Sequence, residues 1–175
     1  GLELQLVVAA SALLDRYGAT DRTIEAEGFT IDRRVFMVLE GENLVTSAKS
    51  TGLGVVELAT ALNDLKPDVV VSIADRFETL ATAIAASYLH VPLAHIQGGE
   101  VTGSIDEKVR HAITKLADLH FVASEPAAQR VVLLALRPVL PQPLELELVE
   151  RRVVVDVHML GIEQLRRKLD VDRLV

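Results

Sequence analysis

Pro67-Asp68-Val69-Val70-Val71-Ser72-Ile73 decides the fold of this chain. A β-branched run without polar alternation is the mark of a strand buried on both faces, as in parallel sheets covered by helices. Beyond it, Phe77, Leu80, Ala81, Ile84, Ala85 and Tyr88 recur on one helical face. Residues 91–96 then read as another short strand, with Pro92 near its start. After a glycine-containing loop, Val109, Ala112, Ile113 and Leu116 mark a second helix, residues 119–123 a third strand and residues 127–136 a further helix. Strands alternating with helices of this length predict parallel βαβ units, hence an α/β fold with an open parallel sheet.

Working outward, Leu2, Leu4, Leu6, Val7 and Val8 form a strand-like run at once. Residues 11–30 are mixed and polar, broken by Gly18 and Gly28, and residues 34–39 are a second possible strand. Val55, Leu58, Ala59 and Leu62 predict a helix over Leu44–Leu65, with Gly52 and Gly54 weakening its first half. Past Arg137 the pattern loosens. Pro138, Pro141 and Pro143 interrupt an apolar stretch, before a possible strand at 152–157 and a helix at 162–169.

With 175 residues, one domain is expected. The 25 acidic residues against 18 basic ones give a net charge of −7, which argues against a nucleic-acid partner. Four Phe, two Tyr and no Trp leave little on which to stack bases. The absence of cysteine removes disulfides, thiolate nucleophiles and cysteine zinc sites, and fits a reducing, cytoplasmic setting. Mean hydropathy is positive, yet the apolar stretches at 69–74 and 80–89 are broken well short of a membrane span. Residues 1–10 contain Glu3 and lack a basic start, unlike a signal peptide.

Ligands of open α/β sheets bind beyond the carboxyl ends of the strands. Those ends run into Asp75-Arg76-Phe77-Glu78, into His95-Ile96-Gln97-Gly98-Gly99-Glu100, and into Ser124-Glu125. Parallel neighbours therefore gather Asp75, Arg76, His95, Glu100 and Asp106 along one edge. Structural roles compete with each. Asp75 with Glu78, and Ser104 with Glu107, have capping-box spacing, and Asp106 sits in a first helical turn where any acid is favourable. His95 could be a satisfied core histidine and Glu100 a solvated loop residue. Arg110 and His111 fall on the exposed side of their helix by periodicity. Gly98 and Gly99 permit either a sharp turn or close backbone approach to a ligand. No GxGxxG after a strand, P-loop, HExxH or GxSxG occurs, so carboxylate acid/base chemistry or plain binding remains.

The stretches Ala74-Asp75-Arg76-Phe77-Glu78, residues 95–107 and Arg110-His111-Ala112-Ile113-Thr114-Lys115-Leu116 closely resemble the UDP-N-acetylglucosamine 2-epimerase family, in its hydrolysing, sialic-acid-pathway branch. Leu13-Leu14-Asp15-Arg16-Tyr17-Gly18, Gly52-Leu53-Gly54 and Leu65-Lys66-Pro67-Asp68 look like the same family, so the resemblance runs from about residue 4 to 131. It implies a Rossmann-like N-terminal half of a glycosyltransferase-B-type fold, whose active site lies in a cleft between two domains. The chain as a whole, 1–175, would be that N-terminal domain, with the first strand and the C-terminal domain missing and 151–175 an inter-domain segment. The implied reaction eliminates UDP from UDP-GlcNAc across C1–C2 and hydrates the resulting glycal to free ManNAc, with no metal or redox cofactor. Positioned carboxylates suit such proton transfers.

Carried over by position, Asp75 and Asp106 match catalytic acids. The third family carboxylate often falls at Gln97, so that Glu100 substitutes for it, Gln97 only orients substrate, or activity is impaired. Glu100 is the expected third carboxylate of an intact enzyme. Arg76, His95, Gln97, Gly98, Gly99, Ser104, Arg110 and His111 match motif positions expected to bind substrate or shape the cleft. Departures are Gln97, where the family often has a carboxylate, Ala12 in place of a histidine, and Ala74 in place of a glycine. The resemblance also implies a homodimer or tetramer. Two other readings stand beside it. One is a non-catalytic nucleotide-sugar-binding or dimerisation module. The other keeps the mechanism but acts on a UDP-2,4-diacetamido-trideoxy hexose.

Overall fold

The computed structural model describes residues 1–41, 43–101, 105–135 and 151–157. Its strands are β1 (Leu2–Ala9), β2 (Arg33–Val35), β3 (Val69–Ile73), β4 (Leu93–Ile96), β5 (Leu119–Phe121) and β6 (Arg151–Val157). Its helices are α1 (Thr20–Ala26), α2 (Leu44–Leu65), α3 (Phe77–Tyr88), α4 (Ile105–Leu116) and α5 (Glu125–Ala135). The strands form one sheet in the order β2-β1-β6-β3-β4-β5, with every neighbouring pair parallel. The predicted α/β class and parallel sheet are therefore what the chain adopts.

Both faces of the sheet are covered, as the Val69–Ile73 run requires. Successive side chains point to opposite faces. Val7, Val70 and Leu93 pack with Leu58, Leu62 and Ile113 on one side, against α2, α3 and α4. Leu6, Val8, Val71, Ile73 and Ala94 join Ile24 of α1 on the other.

The centre of the sheet holds the main departure from expectation. Residues 151–157, read above as the start of an inter-domain segment, form β6 between β1 and β3. Its register runs from Leu2↔Arg151 to Val8↔Val157 on one side and from Val69↔Val153 to Val71↔Val155 on the other. Asp68 fastens the entry: its carboxylate accepts from the Arg152 N–H at 2.7 Å, and its own N–H donates to the Arg152 carbonyl at 2.8 Å. Periodicity reveals a strand here but not its neighbours, because pairing is non-local. The helix expected at 162–169 and the proline-rich stretch 138–143 lie outside the described residues.

Smaller differences have local causes. The strand expected at 34–39 ends at Val35, after which the chain turns to α2, where the Leu39 N–H donates to Ser50 Oγ at 2.9 Å. Two short 3-10 turns, Ala10–Leu13 and Asp15–Tyr17, and then α1 occupy the polar stretch that gave no periodic signal. Helix α2 runs unbroken through Gly52 and Gly54 because Gly54 is a contact point: a Cβ there would lie 2.3 Å from Met37 Cε and 3.0 Å from Ala81 Cβ. Among the described residues, no helix is long and apolar enough to cross a membrane.

Candidate active site

The carboxyl ends of β3 and β4 and the body of α4 converge at one corner of the sheet. Strand β3 ends at Ile73, and Ala74 adopts a left-handed conformation with φ +73°. This turns the chain away from the sheet so that Asp75 meets α4, where its carboxylate accepts a hydrogen bond from Arg110 Nη2 in an ion pair. Arg110 is only 5% exposed, contrary to the expectation that it lies on a solvated face. Helical periodicity reads hydrophobic content alone, and a guanidinium can turn inward where a carboxylate neutralises it. Its Nε and Nη1 atoms find no partner among the described residues. His111 is half-buried beside it, with Nε2 also unpartnered there.

Asp75 does not head the capping box suggested by its spacing to Glu78. Helix α3 starts one residue later, with Arg76 at the N-cap and no side-chain capping bond. Glu78 is fully buried, and Arg76 Nε stands 3.2 Å from its Oε1, in ion-pair range. Arg76 and Glu78 line a cavity of about 290 Å³ together with Ser11, Arg16, Tyr17 and Ser50, beyond the carboxyl end of β1. That is where an open α/β sheet takes its ligands.

His95 on β4 is fully buried. Its Nε2 lies 2.8 Å from the Ala74 carbonyl, which can only accept, so Nε2 carries the proton and Nδ1 is the bare acceptor. Burial pushes its pKa down to about 4, against the raising effect of that hydrogen bond, with His120 and Arg110 adding repulsion. The ring is neutral at physiological pH. The sheet register aligns Ser72, His95 and His120 across β3, β4 and β5. Burial also lowers the pKa of His120.

The loop after β4 owes its glycines to packing. A Cβ on Gly98 would lie 3.0 Å from His95 Nδ1 and 3.1 Å from Thr114 Oγ1. On Gly99, at φ +77°, it would lie 2.4 Å from the Ala127 carbonyl of α5, while Arg130 Nη1 donates to the Gly99 carbonyl at 2.6 Å. Both glycines are thus closely packed against the chain's own atoms. Gln97 adopts φ +69° and its N–H donates to the Phe121 carbonyl at 2.8 Å. Glu100 is half-buried at the end of this loop. Asp106 is the second residue of α4, one turn ahead of Arg110; its side chain and all of Ser104 lie outside what is described.

The sequence reading missed Thr114, fully buried with its hydroxyl donating to the Arg110 carbonyl at 2.9 Å, and the Ser72–His95–His120 row. The row has no signature within any one strand, since only strand pairing assembles it. Among the described residues, no three of His, Cys, Asp or Glu are grouped to hold a metal ion.

The chain resembles known proteins in sequence and in fold. The chain is 37% identical over 132 residues to the GDP/UDP-N,N'-diacetylbacillosamine 2-epimerase (hydrolyzing) of Campylobacter jejuni, covering 75% of this chain and 34% of that one. It is 38% identical over 131 residues to the UDP-N,N'-diacetylbacillosamine 2-epimerase (hydrolyzing) of Legionella pneumophila, covering 75% of this chain and 35% of the relative. The chain therefore spans about a third of the length of these curated relatives. Its fold matches the crystal structure of a UDP-GlcNAc 2-epimerase from Neisseria meningitidis bound to UDP-GlcNAc. The TM-score is 0.63 at 17% identity, covering 78% of this chain and 44% of that one. The family model described as UDP-N-acetylglucosamine 2-epimerase matches residues 1–139, and the chain belongs to that family.

Proposed function

We propose that this chain supplies the acid/base half of a hydrolysing UDP-N-acetylglucosamine 2-epimerase, which converts UDP-GlcNAc and water to ManNAc and UDP. The observation that carries this reading is the Asp75–Arg110 pair at the carboxyl edge of a parallel sheet. Elimination needs a base at the C2 proton and an acid for the departing phosphate; hydration returns a proton to C2. Asp75 and Asp106 are the acid/base pair and Glu100 the third carboxylate, following β3, in the first turn of α4 and following β4 respectively. Arg76, Gln97, Ser104, Arg110 and His111 take the role of binding the sugar and its phosphate, while Gly98 and Gly99 shape the loop that carries Glu100. Glutamine exchanges no proton, so Gln97 orients substrate rather than transferring hydrogen. A homo-oligomeric, cytoplasmic enzyme belongs to the same reading, and the cysteine-free composition fits the cytoplasmic part of it.

A second reading changes the sugar to a UDP-2,4-diacetamido-trideoxy hexose. It is favoured by the two relatives named above, both named as epimerases of diacetylbacillosamine, at 37% and 38% identity. One proton NMR time course tests both, with each nucleotide sugar supplied in turn. Growth of free UDP and the 2-epimeric sugar establishes turnover, and the faster substrate identifies the sugar. Line broadening without product leaves a binding module, and an unchanged spectrum with both sugars removes the reading for this chain.

A further inference from the structure

We propose that His95 is a positioning residue that sets the Asp75–Arg110 pair by holding the backbone of Ala74. The functional consequence rests on the role just given to Asp75, but the geometry stands without it. Ala74 is the residue from which Asp75 is aimed, and its φ of +73° is one that an alanine adopts at a cost, because Cβ crowds the following carbonyl oxygen. Two bonds from β4 and its loop hold it there. Its N–H donates to the Ile96 carbonyl at 3.1 Å, and its carbonyl accepts from His95 Nε2 at 2.8 Å. One strand thus clamps both polar groups of the residue that ends its neighbour.

The surroundings of the ring fit a positioning role and no other on view. His95 is fully buried, so its ring meets no solvent. Its Nδ1 has no partner among the described residues, which leaves the imidazole with a single polar contact, the Ala74 carbonyl. Room for the ring is made by Gly98, whose missing Cβ would stand 3.0 Å from Nδ1. A leucine would fill such a site more cheaply if packing were all that was required, since a buried nitrogen without a partner costs free energy. The retained imidazole is explained by the one bond it makes.

The test reads the ion pair directly, through the solvent-exchange rate of the Arg110 guanidinium protons by nitrogen-15 NMR on this chain, with Asp75→Asn setting the rate for a broken pair. His95→Gln places an amide donor near the Nε2 position, whereas His95→Asn is too short to reach the carbonyl. Losing one hydrogen bond of this kind corresponds to about a tenfold change in the opening equilibrium. His95→Asn is therefore expected to speed Arg110 exchange about tenfold, and His95→Gln to restore the slow rate. The decisive background is Ala74→Gly. Glycine takes the left-handed conformation unaided, so His95→Asn should then change exchange by no more than about twofold. Equal exchange in His95→Asn and the parent, or an undiminished effect in the Ala74→Gly background, overturns the proposal. Should His95→Asn fail to fold, the Ala74→Gly/His95→Asn double variant decides: rescue of folding and of slow exchange supports the clamp, and failure of both overturns it. UDP-GlcNAc titrated into the same samples separates the two readings, because absent binding with exchange changed as expected defeats the proposed function and leaves the positioning role standing.

Discussion

Asp75 and Arg110 illustrate how a site residue can also carry the fold. The guanidinium is buried and, among the described residues, its charge is met by the Asp75 carboxylate. Replacing Asp75 by Asn keeps the shape and removes the charge, leaving a buried cation without compensation, at a cost of about 3 kcal/mol. We expect Asp75→Asn to lower the midpoint of urea unfolding, and Asp75→Asn with Arg110→Met to recover much of the loss. A double variant no more stable than the single one would show that the charge is solvated. His95 gives a pH signature of the opposite kind. Its pKa falls from 6.5 to about 4 on folding, so between those values the unfolded chain binds a proton that the folded chain refuses. Stability is therefore complete above pH 6.5 and declines as pH drops toward 4, by on the order of 3 kcal/mol in total. His95→Gln should flatten that acid limb in denaturation curves taken across the window. A limb unchanged in the variant would assign the loss to other groups.

At the scale of elements, two glycines that look alike in the sequence behave differently. Gly54, inside α2, faces the end of the Met37 side chain, which can move, and alanine is favoured over glycine in a helix by about 1 kcal/mol. Gly99 faces the Ala127 backbone carbonyl, which cannot move, and also needs a positive φ. Gly99→Ala should cost about 3 kcal/mol and Gly54→Ala about 1 kcal/mol or less, as read by thermal melting. The reverse order would mean that α5 yields more readily than Met37. Neither environment is visible in the chain itself, where the Gly98-Gly99 pair is compatible with a sharp turn or with close approach to a ligand. The helices α2, α3 and α4 were legible because each keeps an apolar stripe over three or more turns. Arg110 was misplaced by the same logic, since an apolar stripe says nothing of an arginine whose partner lies on another element.

For the whole molecule, the sheet depends on a strand that sequence periodicity found but could not seat. Val154 of β6 is 1% exposed at the middle of the sheet, between β1 and β3. Val154→Asp would bury an unpaired carboxylate, and we expect loss of cooperative unfolding, as we do for a chain cut after residue 150. A sharp, two-state transition in either variant would show that β1 and β3 close the sheet without β6. The strand order was beyond a reading of runs and periods, because contacts between Leu2 and Arg151 or Val69 and Val153 join stretches far apart in the chain. The same placement sets a clock on biosynthesis. Strands β1 and β3 leave the ribosome long before their shared neighbour, and at roughly 10 residues per second the delay between β3 and β6 is on the order of ten seconds. Through that interval the nascent chain displays two unpaired, apolar strand edges, the condition that recruits chaperones or invites pairing with a second nascent chain.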